Sequence, residues 1–245
     1  MGLSPFDELA ARAGAWWVDL LGEHNHVGGA AATRWLLDRS GIRPGDLVLD
    51  CGAFVGAAAR EIAVRTGACT VATDIEPAFL SAGSQLPAGD AVAWAIADSR
   101  RLPFAAATFS SIWVLDAPLA PREVSRVAAH GATACLACEA PADARGGREA
   151  FVDEWAALGW ELAAHRDVTL DAIQAWRRAE AELVSRRPFF EARYGKSYLR
   201  QLDAVARRVA AYERGGTGHG LFVFRRPASA DRSLPSSAAI SCPGS

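Results

Sequence analysis

The chain has 245 residues and a mass of 25.9 kDa, with a formal net charge of −2 and a sequence pI near 6.2. That length suits one α/β domain of ordinary size. Interspersed charges without a basic stripe exclude nucleic acid as a partner, and apolar runs well short of the ~20 residues of a bilayer span exclude a membrane-embedded chain.

Apolar residues at helical spacing (Phe6, Leu9, Ala13, Trp16, Trp17, Leu20, Leu21) predict a surface helix over 5–21. Acids spread through this segment and a basic n-region is lacking, so it does not read as a secretory signal. Phe6 also stands where a myristoylation motif requires Ser or Thr. The loop GEHNHVGG then leads into a helix over 30–40 that stops at Gly41. Beyond it, strands are expected at 47–50, 69–73, 91–96, 110–115, 132–138, 160–166 and 220–226. Helices are expected at 56–66, 77–83, 121–129 and 148–158. This alternation predicts an α/β fold, a Rossmann-like, doubly wound and mostly parallel sheet with helices on both faces. Residues 170–213, rich in Arg, Glu and aromatics and split near Arg187-Pro188, read as a helical lid inserted late in the fold. Residues 1–227 are expected to form the single domain, and 228–245, rich in Ser, Pro and Ala without periodicity, a disordered tail.

The five cysteines make no disulfide framework in a chain this long and favour a reducing cytoplasm. Cys135 and Cys138 form a CxxC inside the run ATACLACEA. With no second pair or nearby His they read as small buried strand residues, and no spacing elsewhere suggests a metal site.

The densest signal is LVLDCGAFVG at 47–56, followed by Asp74 within TVATDIEP. An apolar strand ending in an acid, a glycine turn into an Ala-rich helix, and a second strand ending in an acid about 20 residues on is how a Rossmann-like sheet holds a nucleoside. The run Asp50-Cys51-Gly52-Ala53-Phe54-Val55-Gly56 resembles the D-x-G-x-G-x-G first motif of class I S-adenosylmethionine-dependent methyltransferases. ADSRRLPFAAATFSSIWVLDA resembles their third and fourth motifs, and REVSRVAAHGATACLACEAP their turn before strand five. GGTGHGLFVFRRP resembles the end of small-molecule N- and O-methyltransferases related to those acting on glycine derivatives and phosphoethanolamine. The resemblance covers about residues 22–227.

It implies S-adenosylmethionine as cofactor and a small molecule as substrate, with transfer driven by in-line positioning. Gly52 and Gly56 let the backbone turn sharply and approach the ligand. Asp50 is implied to orient the glycine loop and the methionine amino group, and Asp74, with Ile75 beside it, to accept the ribose hydroxyls. Asp98 and Ser99 match the pair that reads the adenine amine. Asp116, ending a strand at the carboxyl edge of the sheet, is a candidate contact for substrate or methyl group, and equally a helix-capping acid. His24 and His26 resemble the segment that closes over the cofactor, where a histidine is a candidate general base. Tyr194 and His219 are candidates for the pocket wall. Trp176, Phe189 and Phe190 read as packing rather than a cation box.

Two departures stand out. Phe54 replaces the central glycine, and DAPLAPR, from Asp116 to Arg122, is shorter than the usual stretch lining the acceptor pocket. Three readings therefore stay open. The first is a methyltransferase tailoring a metabolite. The second is a methyltransferase-fold enzyme performing a cyclisation or intramolecular displacement. The third is a degenerate subunit supporting a pathway partner protein.

Overall fold

Strands apolar at nearly every position must be covered on both faces of their sheet, because successive side chains point to opposite sides. The computed structural model, which describes residues 20, 22–140 and 147–228, has this architecture. The helix expected over 5–21, apart from Leu20, and the tail beyond 228 lie outside the described residues.

After α1 (Gly29–Ser40), the chain runs through β1 (Leu47–Cys51), α2 (Ala57–Thr66), β2 (Cys69–Asp74), α3 (Pro77–Ser84), β3 (Val92–Ile96) and β4 (Phe109–Leu115). It continues through α4 (Pro121–Val127), β5 (Ala128–Ala140), α5 (Gly147–Ala156), β6 (Glu161–Asp167), α6 (Thr169–Ser185), α7 (Arg187–Tyr194), α8 (Ser197–Glu213) and β7 (Gly218–Arg225). The seven strands lie in the order β3-β2-β1-β4-β5-β7-β6. The first five are parallel, and β7 is antiparallel to both its neighbours. The order reverses between β1 and β4, which leaves a crevice at their carboxyl ends, the place where open α/β sheets receive ligands.

The pleat sorts the core. On β7, Phe222 and Phe224 join Trp155, Trp160 and Phe109 on one face, while Leu221 and Val223 join Trp113, Leu36 and Ile62 on the other. The same alternation separates the two CxxC thiols. Three residues apart on β5, Cys135 faces the second core and Cys138 packs against the first, so the pair shares no site. Cys51, Cys135 and Cys138 are free thiols, but Cys69 is disulfide-bonded, which departs from the fully reduced cysteines expected from the sequence.

Two elements differ from expectation. The helix expected over 121–129 ends at Val127, because Ala128 already pairs with Phe109 at the start of a longer β5. The helical insertion breaks twice. Arg186 separates α6 from α7, with Pro188 in the first turn of α7, and Gly195, at φ 54°, ends α7. α6, α7 and α8 hold one another through Ala179, Leu183, Phe190, Tyr198 and Val205, and Arg177 on α6 pairs with Glu213 at the end of α8. Among the described residues no helix is long and apolar enough to cross a membrane.

The glycines of the turn after β1 have protein reasons as well as conformational ones. Gly56, at φ 67°, caps α2, and a Cβ there would stand 2.4 Å from the Trp94 ring. That ring is fixed by its Nε1 donating to the Gly89 carbonyl at 2.9 Å. Gly56→Ala should therefore cost more than the ~1–2 kcal/mol that a left-handed backbone alone costs an L-residue. It should cost less in a Trp94→Leu background than in the natural chain. Equal costs in the two backgrounds, measured by urea unfolding, would show that Gly56 does not make room for the ring.

Candidate active site

The β1 turn and the end of β4 close on each other tightly. Gly52, at φ 67°, has no side chain where Ala117 arrives, and a Cβ there would lie 2.4 Å from the Ala117 methyl. Just before it, Asp116 holds φ 51°, a left-handed conformation rare for a non-glycine residue and concentrated at functional positions. Its N–H donates to the Ala137 carbonyl at 2.7 Å, and its Oδ2 accepts the Val27 N–H at 2.8 Å. Asp116 exposes main chain, but its side chain is only 22% exposed. Desolvation, with Glu139 nearby, pushes its carboxyl up to about 7.

Asp50, at the end of β1, is buried and pushed up to about 7 by desolvation and then by Asp74. Asp74, at the end of β2, accepts the Phe54 N–H on Oδ2 and the Glu76 N–H on Oδ1, both at 2.9 Å. A carboxylate has about four lone-pair sites, so these two backbone bonds leave Asp74 about two acceptor positions, one for each ribose hydroxyl. Burial raises its carboxyl despite these bonds.

Phe54 takes the left-handed conformation of a glycine, at φ 54°. It is 5% exposed, and its ring meets Phe79 edge-on at 4.7 Å. At the ends of β2 and β3, Ile75 and Ile96 are 64% and 62% exposed, and Ile96 is the strand partner of Asp74. Asp98 is committed to Arg100, which approaches both carboxylate oxygens at 2.7–3.1 Å and holds the carboxyl below its usual range. The Ser99 hydroxyl donates to the Pro118 carbonyl at 2.9 Å.

Two cavities meet at Asp116. One of about 50 Å³ lies under the turn against Asp50, Gly52 and Phe54. The other, about 550 Å³, lies between the sheet edge and the lid, walled by Trp176, Arg208, Tyr212, Glu139 and His219 among others. Asn25, His26 and Asp116 line both. The larger falls within the usual range for small-molecule sites, about 300–1,000 Å³.

The histidines divide by their partners. His26 uses both ring nitrogens, Nδ1 against the Val27 carbonyl at 3.2 Å and Nε2 against the Thr33 hydroxyl at 3.0 Å, and burial pushes it down to about 4. That arrangement suits a neutral ring holding the loop. His24 is half-buried, edge-on to His26 at 5.8 Å, and also lowered by burial. It lines the small cavity and not the large one. His219 is 3% exposed and pushed down to about 4 by burial. Its Nδ1 lies 3.1 Å from the Tyr212 hydroxyl, which donates to Glu139 at 3.0 Å. Its Nε2 lies 3.2 Å from Asp116 Oδ1 without hydrogen-bond alignment. Tyr194 stacks on Phe190 within the lid cluster and lines neither cavity.

Sequence reasoning missed Glu139, Trp176, Arg208 and Tyr212. Glu139 had a signal, since it is an acid near the carboxyl end of a parallel strand like Asp50, Asp74 and Asp116. Trp176, read as packing, also walls the cavity, with the Arg208 guanidinium 4.9 Å from its ring centroid; Arg208 and Tyr212 had no signal, because only the packing of α6 and α8 turns them inward. The loop above the turn is held by Arg60 of α2, whose guanidinium donates to Glu23 and to the Pro87 carbonyl. Among the described residues no group of three or more His, Cys, Asp or Glu is suited to hold a metal.

No protein-family model matches the chain. Over 100 residues it is 35% identical to the sterol 24-C-methyltransferase of Eremothecium gossypii, a match taking in 39% of this chain and 27% of that enzyme. The match thus spans little more than a quarter of the relative's length. A Galdieria sulphuraria structure described as a sarcosine dimethylglycine methyltransferase superposes with TM-score 0.78 at 16% identity, covering 91% of this chain and 99% of that one. The 4+2 cyclase SpnF superposes with TM-score 0.73 at 17% identity, covering 94% and 99%. Phosphoethanolamine N-methyltransferase 2 of Haemonchus contortus, in complex with S-adenosyl-L-methionine, superposes with TM-score 0.71 at 14% identity, covering 92% and 60%. The chain thus has the Rossmann-like fold of the class I S-adenosylmethionine-dependent methyltransferases.

The enclosure of Asp116 carries a pH signature. Between its ordinary value of 3.8 and about 7, the folded state keeps a proton that the unfolded state has released. Its destabilising charge is therefore fully present above about pH 7 and gone below about pH 4. Asp116→Asn, neutral and of the same shape, should raise the melting temperature of the protein at about pH 8 and change it little at about pH 4. A lower melting temperature at the higher pH would refute the raised value.

Proposed function

We propose that this chain is an S-adenosylmethionine-dependent methyltransferase acting on a small molecule, a tailoring enzyme of specialised metabolism. The observation that carries the reading is the junction at Asp116, where a narrow crevice under the glycine turn opens beside a lidded cavity of about 550 Å³. A cofactor edge and an acceptor chamber that share one wall are what a transfer between two bound molecules requires.

The residues present fit the cofactor. Its ribose would find the two remaining acceptor positions of Asp74, its adenine the exposed Ile75 or Ile96 at the strand ends, and its amino group the buried Asp50, whose charge a neighbouring cation restores. When bound, S-adenosylmethionine supplies an electrophilic methyl group on a sulfonium. Phe54 fits as a packed residue, its ring held on Phe79 and its N–H on Asp74. Asp98 and Ser99, engaged by Arg100 and Pro118, would offer the adenine their backbone or must exchange partners. On the acceptor side, Asp116 faces the large cavity with its Oδ2 held by Val27, which suits it to orient a nucleophile. α6 and α8 supply one wall of that chamber, through Trp176, Arg208 and Tyr212. The interspersed charge and the single domain suit a small-molecule partner in the cytoplasm, with a pathway protein as a further partner.

A second reading is favoured by the superposition on a cyclase and by Phe54 at a glycine position. In it the same chamber closes a ring on a biosynthetic intermediate, by cyclisation or intramolecular displacement, and no methyl group is transferred.

Calorimetric titration with S-adenosylmethionine tests the choice. Measurable binding is expected in the natural chain. Asp74→Ala should weaken it by about 1.5–3 kcal/mol for each ribose hydrogen bond lost, the worth of a hydrogen bond to a charged group. Phe54→Gly should also weaken it, by loosening the turn. Tighter binding in Phe54→Gly would mean that the ring obstructs the cofactor. Undetectable binding in the natural chain, with turnover of its metabolite and no methyl gain in product mass, would replace the methyltransferase with the cyclase.

A further inference from the structure

We propose that His219 is the general base for the acceptor, and that Tyr212 and Glu139 are positioning residues that fix its tautomer and carry its proton out to the mouth of the cavity. The assignment rests on the methyltransferase reading for its reaction, though not for its geometry. His219 sits at the start of β7, where the chain is clamped on both sides. Its N–H donates to the Thr169 hydroxyl at 2.9 Å, and its carbonyl accepts the Val168 N–H at 2.9 Å. The ring lies between the large cavity and a smaller one beside β6, with a side chain 1% exposed.

The hydrogen-bond order follows from donors and acceptors. The Tyr212 hydroxyl gives its only hydrogen to Glu139 Oε1, so toward His219 it can only accept. Nδ1 must then carry the ring proton, and Nε2 is left as a bare lone pair. That nitrogen is buried without a hydrogen-bond partner. Asp116 Oδ1, 3.2 Å away and out of alignment, covers it on the cavity side, so an acceptor reaches Nε2 by taking the place of that oxygen; a buried polar atom left unpaired is costly until a ligand completes it. His26, by contrast, spends both nitrogens on Val27 and Thr33, and His24 lies outside the large cavity.

The step balances with an acceptor bearing an N–H or O–H and a sulfonium methyl donor. The acceptor lone pair forms the new bond to the methyl carbon, and the carbon–sulfur pair stays on sulfur. The acceptor proton goes to His219 Nε2. The Nδ1 proton passes to Tyr212, whose own proton passes to the Glu139 carboxylate. Glu139 stands at the mouth, its side chain 41% exposed and 3.5 Å from Arg208, so the proton reaches solvent there. The groups facing His219 are Asp116 on β4, Cys138 and Glu139 on β5, Arg148 on α5, His165 and Asp167 on β6, Arg208 and Tyr212 on α8 and His26 in the loop. A protonated Asp116 would donate to Nε2 and occupy the lone pair, so the base is free only once Asp116 ionises.

The test is nitrogen-15 NMR of the full chain labelled at its histidines, with His219 assigned by His219→Gln. The expected spectrum is a neutral ring at neutral pH with its proton on Nδ1. Tyr212→Phe should move population toward the Nε2–H tautomer, whereas Glu139→Gln, which still accepts from Tyr212, should keep the natural tautomer. With an amine or phenol that the enzyme methylates, His219→Gln should lower kcat by about 10²–10⁴-fold. Glu139→Gln should lower kcat with little change in KM, although its tautomer is intact. An Nε2–H or charged ring in the natural chain, or an unchanged kcat in His219→Gln, would overturn the assignment. The expected tautomer in a chain that binds no S-adenosylmethionine would overturn the methyltransferase reading and leave the hydrogen-bond order standing.

Discussion

The reversal of strand order between β1 and β4 is the constraint on which the site depends. Helices following β1 and β4 leave in opposite directions, so their strand ends stay uncovered, and both carry an acid, Asp50 and Asp116. Elsewhere in the sheet such carboxyls would be solvated or paired. Here the loop before α1 crosses above them, bonded through Val27 to Asp116, and the lid lies beyond. The acids therefore sit in surroundings that favour their neutral forms, while burial keeps His26 and His219 neutral as well. Titratable groups displaced from their solution values by burial cluster where protons are moved, which suits this crevice to proton transfer.

Most of the sheet was legible in the sequence because its strands are bounded by unambiguous punctuation. Gly41, Gly52, Gly67 and Pro77 each mark an element end, and the β/α alternation between them admits few topologies. The β5 start was not legible, since Ala128 has no preference strong enough to show where helix yields to strand. Pairing with Phe109 decides it. The acids of the site were readable by their position at strand ends. The side of the site supplied by the lid was not, because a helix with Arg, Glu and aromatics on several faces does not reveal which turns inward until α6 and α8 pack. Tyr212 is the clearest case. On α8 it looks like one more core aromatic, and only its alignment with His219 and Glu139 distinguishes it.

The glycine turn shows how a motif and its reasons diverge. The sequence pattern points to close approach of a ligand. In the structure Gly52 and Gly56 are already required by Ala117 and the Trp94 ring, and Phe54 keeps the backbone conformation of the glycine it stands in for. A motif of this kind is preserved by packing even where the ligand contact changes. Structural likeness at identities of 14–17% therefore leaves the reaction to be argued from Asp116, His219 and the chamber between them.

The two ties on the loop before α1 differ in physical kind. Val27 meets Asp116 through a backbone N–H at an enclosed carboxyl, whereas Glu23 meets Arg60 with its own side chain 41% exposed. Dissolved ions screen the second bond and scarcely reach the first. Raising ionic strength would thus loosen the loop from its Glu23 end while its Val27 end stays in place, which makes the loop a flap hinged at the acceptor chamber and free at the cofactor edge. Access to the two cavities would then respond differently to the same salt.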